Sequence, residues 1–183
     1  MHTEATILQQ TQCWLEKVVI GLNFCPFAAK VYRAHQVRYQ VRWTTEPEEI
    51  SSILLQEYTY LDDHPEVATT LLIFPSALTD FFTYLDWLEV AMQQLQETGY
   101  EGTYQLASFH PHYCFEGTAF DDPANYTNRS PYPMAHLLRE AQIEEVLQHH
   151  PHPEQIPEKN IQLAREKGEV YLHTLLQACL REV

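Results

Sequence analysis

Glycine is scarce. Only 5 glycines occur in 183 residues, and none belongs to the repeated-glycine loop that lets a backbone close around phosphates, so a nucleotide cofactor is not expected. Cations are also few: 11 Lys plus Arg stand against 25 Asp plus Glu, a formal charge of -14, with no basic run or stripe. Nucleic acid is not expected as a partner, because phosphate binding begins with clustered cations. No apolar run approaches the roughly 20 residues needed to cross a bilayer. The first residues, MHTEATILQQ, carry neither the basic region nor the apolar core of a secretory leader. A soluble, cytoplasmic protein without a membrane partner is the expectation. The 4 cysteines, Cys13, Cys25, Cys114 and Cys179, have no regular spacing and read as thiols rather than as a disulfide framework.

What is present suits one globular domain over residues 1–183, with 45% of the chain hydrophobic. Ile7, Trp14, Leu15, Val18 and Val19 keep a helical period from Glu4 to Leu22. After Gly21, Pro26 marks the first turn of a short second helix, which places Cys25 at a helix N-terminus, where the partial positive charge favours a thiolate. Val37, Tyr39, Val41 and Trp43 alternate with polar residues as in an edge strand. Thr45 and Glu48 spell a capping box before a helix carrying Ile50, Ile53, Leu54, Tyr58 and Leu61. Residues 68–74 read as a buried central strand. A helix follows with Phe81, Phe82, Leu85, Leu88, Met92 and Leu95 as its inner stripe, and residues 103–109 form a third strand. This alternation predicts an α/β fold: a small parallel or mixed sheet of at least three strands, helices packed around it, and ligands taken just beyond the carboxyl ends of the strands.

The stretch SFHPHYCFEGTAFDDPANYTNRSPYPMAHLLRE, residues 108–140, gathers histidine, cysteine, aspartate, asparagine and arginine where a scaffold needs few of them. Functional residues collect on loops held by rigid elements, so chemistry is sought here. Ser130 and Pro131 read as the start of a helix whose Met134, Leu137, Leu138 and Ala141 face inward. The tract from His149 to Pro153 reads as a solvated connector, and two last helices are split at Gly168.

Three motifs, GLNFCPFA at 21–28, SFHPHYCFEGT at 108–118 and NYTNRSPYPMAHLLRE at 125–140, resemble the family catalogued as domain of unknown function 1415, and the likeness covers nearly the whole chain. The resemblance implies no activity, because none is established for that family. It highlights, among others, Cys25, His110, Asn125, Asn128, Arg129, Ser130, His136 and Arg139. His112 and Cys114 depart from the family pattern, which tends to carry an acidic residue and a glutamine there.

Three readings follow from the residues themselves. In the first, the protein is an enzyme, a cysteine-dependent hydrolase or transferase. Cys25 is the nucleophile and His110 or His136 takes its proton, with all three converging on one pocket. In the second, the protein binds zinc: His110, His112 and Cys114 share one side of an extended segment with Cys25 or His136 as the completing ligand, or Cys25, His110 and His136 hold the metal by themselves. In the third, the protein is a non-catalytic module that binds a small anion at the Ser130 helix start, using Asn125, Asn128, Arg129 and Arg139. The small anionic molecule is also the substrate expected in the first reading.

Overall fold

Helix α1 (Glu4–Trp14) is started by Thr3, whose side chain accepts from the Thr6 N–H, and it runs on without a break into a π-helical segment, Leu15–Ile20. The computed structural model describes residues 2–181. The wider π turn shows in the hydrogen bonds: Gly21 N donates to Glu16 O at 2.9 Å and Phe24 N to Val19 O at 2.9 Å, each spanning five residues. A Cβ at Gly21 would lie 2.4 Å from Lys17 O, a backbone atom that cannot swing aside. Gly21→Ala is therefore expected to cost about 1–3 kcal/mol in urea unfolding and to shift the Cys25 turn that follows. A variant as stable as wild type would show that the π turn relaxes freely.

Helix α2 (Ala28–Arg33) leads to strand β1 (Val37–Val41), helix α3 (Pro47–Asp63), strand β2 (Thr69–Ile73), helix α4 (Phe81–Glu97) and strand β3 (Tyr104–Phe109). The capping box does not form at α3. Thr44 stands there instead, its hydroxyl accepting from Glu46 N at 3.2 Å. After a 3-10 turn (Pro123–Thr127) comes strand β4 (Met134–Arg139), where a helix was expected, and then helices α5 (Glu140–Gln148), α6 (Ile156–Lys167) and α7 (Glu169–Arg181). The sheet has the order β1-β2-β4-β3. β1 pairs parallel with β2, while β4 runs antiparallel to both of its neighbours, so the sheet is mixed. No helix among the described residues is long and apolar enough to cross a membrane.

The sheet carries a core on each face. On one side Ile53, Tyr58, Leu72, Phe74, Tyr84, Trp87 and Leu137 pack with α3 and α4; on the other Trp14, Val18, Leu71, Ile73 and Met134 pack with α1 and its π extension. Helix α4 is rotated from the expected stripe. Tyr84, Trp87, Ala91 and Leu95 face inward, whereas Phe82, Leu85 and Met92 are exposed. The Tyr84 hydroxyl explains the rotation, since it donates to Met134 O at 2.7 Å and accepts from Phe109 N at 3.0 Å. A buried tyrosine that satisfies two backbone groups of the sheet outweighs an aliphatic stripe that water tolerates.

Candidate functional site

Side chains alternate between faces along a strand, and the strand register therefore assigns each residue its side. Leu71, His136 and Ala107 are direct neighbours across β2, β4 and β3, and Thr69, Leu138 and Gln105 form the next row on the same face. Above these two rows lies a cavity of about 630 Å³, within the range of small-molecule sites. Its walls are mostly apolar: Trp14, Val19, Phe27, Val31, Phe109 and Ile143 are among them. Lys30, Gln36, Gln105, Gln142 and Glu145 also line it, all exposed, and so form its rim. Helix α5 contributes Ile143 and Val146 from an element with no buried residue, and it lies across the opening.

His136 is set into the floor from the middle of β4. Its imidazole makes no hydrogen bond with any described residue, and its nearest ring neighbour is Phe109, 6.0 Å between centroids. Burial lowers its pKa to about 4, so the ring is neutral at ordinary pH, with one donor and one acceptor nitrogen. Ala107, opposite on β3, is small enough to leave the space beside the ring open.

Cys25 lines the same cavity. It does not sit at a helix end: α2 starts three residues later, and Cys25 O accepts from Ala28 N at 3.2 Å in the intervening turn. The turn is shaped upstream by the π segment and by Asn23, whose φ of 56° is left-handed.

His110 does not join them. One position beyond β3, it falls on the other face of the sheet, fully buried against Phe81 and Tyr84 at 5.1 and 5.0 Å. Its Nδ1 accepts from His112 N at 3.0 Å, so Nε2 carries the proton and donates to Leu78 O at 3.0 Å. Burial lowers its pKa as well. The imidazole thus pins the Leu78 turn, whose φ of 57° is left-handed. The expected convergence of Cys25, His110 and His136 is corrected to a pair, because consecutive faces of the sheet separate the two histidines.

The loop between β3 and β4 turns its polar groups on itself. Asn125, fully buried, accepts from Phe115 N and Thr118 Oγ1 and donates to Ala119 O and Phe120 O. Asn128 donates to Ser108 O at 3.0 Å, and Ser130 donates to Tyr132 O at 2.6 Å. Arg129, 6% exposed, donates to Tyr113 O and Phe120 O and lies 4.6 Å from both the Phe120 and Tyr126 ring centres. Arg139 is held by the carbonyls of Val67, Leu61 and His64 and by the Tyr104 hydroxyl. The helix start at Ser130 that would have received an anion is absent, since the segment enters a strand. Pro111 and His112 form a turn rather than an extended run, and no three His, Cys, Asp or Glu side chains among the described residues cluster as metal ligands.

The cavity also lies at the end of the sheet opposite to the one expected. Gln36, Val37, Ala68, Thr69 and Gln105 mark the amino ends of β1, β2 and β3. The antiparallel β4 brings its own carboxyl end, and α5 after it, to that side. The rim glutamines and the α5 residues carried no sequence signal, because their segments are ordinary until the fold assembles them.

The pattern of the family described as "Protein of unknown function (DUF1415)" matches residues 6–174. No curated protein and no solved structure matches the chain.

Proposed function

The chain belongs to that family of unknown function, and from this premise we propose that it is a small-molecule enzyme working in the cavity between the sheet and the π-helical segment. His136 holds the substrate from the floor, and the Cys25 thiol in the wall is the nucleophile. The observation that carries this reading is a neutral imidazole with no protein partner, opening on an apolar space that a thiol also lines. A polar group that faces an apolar cavity favours a ligand able to hydrogen-bond to it. Zinc is not part of the proposal, since two candidate donors do not complete a zinc site.

A screen of small apolar compounds by thermal shift tests it, with peptide-resolved alkylation of Cys25 as the second readout. A compound at 100 times its Kd is expected to stabilise the fold by about 2.7 kcal/mol. It should also slow labelling of Cys25 several-fold, and Ala107→Leu, which crowds the space beside His136, should weaken both effects. Binding that leaves Cys25 labelling unchanged and is not weakened by Ala107→Leu would place the ligand elsewhere and overturn the reading.

The low basicity of His136 favours a second reading, a carrier or sensor that binds without reacting, because a general base works best with a pKa near the operating pH. Cys25→Ser separates the two. It preserves binding in both and abolishes turnover only in the enzyme.

A further inference from the structure

The chamber also speaks to what kind of molecule fits it, an inference that rests on the cavity being the binding site. We propose that its ligand is an uncharged molecule with a compact apolar body and one end group, a hydroxyl or a primary amide, that can either donate to or accept from the His136 nitrogen that meets it.

The distribution of polarity carries the argument. The charged side chains with free ends, Lys30 and Glu145, are exposed at the rim. Arg139 also touches the cavity, but its guanidinium is spent on the carbonyls of Leu61, His64 and Val67 and on Tyr104. The Thr69 hydroxyl is likewise used, donating to Leu137 O at 2.5 Å. What remains deep in the chamber is an apolar wall, the Cys25 thiol and the imidazole of His136. A carboxylate or phosphate placed beside His136 would lose its hydration, and Arg139, with four of its five N–H groups already given to neutral acceptors, has no fork left to bind it, a cost that disfavours it. A hydrocarbon would suit the wall and leave the imidazole donor and acceptor unanswered. A group with both a hydrogen to give and a lone pair to offer satisfies the ring in either tautomer. The glutamines at the mouth, Gln36, Gln105 and Gln142, make no side-chain hydrogen bond with described residues and can close over a neutral ligand.

The test is a matched set of probes, benzyl alcohol, benzamide, toluene and benzoate, titrated by amide NMR at pH 7.5. Wild type, His136→Leu, His136→Gln and Ala107→Leu are compared. Wild type is expected to bind the alcohol and the amide about tenfold tighter than toluene, and benzoate more weakly still. His136→Leu should lose that preference and take toluene at least as well. His136→Gln, which keeps a donor and an acceptor, should retain most of it, and Ala107→Leu, which crowds the space beside the ring, should bind all four more weakly. Benzoate binding tightest, or an unchanged order in a folded His136→Leu, would overturn the ligand class while leaving the cavity as the site. Absence of any probe binding that Ala107→Leu weakens would overturn the site itself, and the class with it.

Discussion

Lowering the pH from 7.5 to 4 is expected to remove about 3 kcal/mol of stability through His136 alone. The group titrates near 6.5 in an unfolded chain and at about 4 in the fold, where burial opposes the charged ring. At pH 7.5 both states are neutral and the residue contributes nothing to the pH dependence. As the pH falls through 6.5 the unfolded state takes a proton that the folded state refuses, so stability is lost progressively until about pH 4 and no further below it. The size follows from ~1.4 kcal/mol for each pH unit between the two values. His110, lowered by the same cause, adds loss of the same sign. Urea unfolding of wild type and His136→Gln at several pH values isolates the effect, because the acidic groups titrate alike in both proteins. The difference between them should change in the variant's favour by about 3 kcal/mol over this range. Parallel curves would mean that His136 is hydrated in the fold, which would also weaken its role as the polar anchor of the cavity.

Replacing Arg129 by Lys should destabilise the chain by about 3 kcal/mol without touching the cavity. The guanidinium bridges two carbonyls seven residues apart in the loop, those of Tyr113 and Phe120, while lying against two aromatic rings. Hydrogen bonds to a charged group contribute ~1.5–3 kcal/mol each, and a desolvated cation over a ring adds up to ~2 kcal/mol. An ammonium cannot reproduce the fork, and the buried charge that remains would be poorly paired. Urea denaturation should show the loss, and hydrogen exchange should show it concentrated between residues 110 and 128, with probe binding at the cavity unaffected. A loss under about 0.5 kcal/mol would mean that the loop holds without its clamp. A folded variant with lowered affinity for phosphate or acetate would instead restore the anion-binding role that the sequence suggested for Arg129.

Both predictions concern residues that the sequence singled out and whose setting it could not supply. The elements whose local pattern has one interpretation were legible: α1, the fully buried β2, the edge strand β1 and the alternation that makes an α/β fold all follow from periodicity and from where water is excluded. β4 was not legible. Met134, Leu137, Leu138 and Ala141 suit a helical stripe, but Met134 to Arg139 lies between β2 and β3 with apolar neighbours on both faces, and a strand buried on both sides has no alternation to read. That one difference removed the helix end at Ser130 and moved the candidate site to the other end of the sheet. It also left His136 facing the chamber and His110 behind the sheet. Composition and local period thus determined the fold class and the set of unusual residues, since both depend on each residue's own chemistry and near neighbours. Which of those residues meet was decided by strand order and register, long-range pairings in which a shift of one position exchanges the two faces.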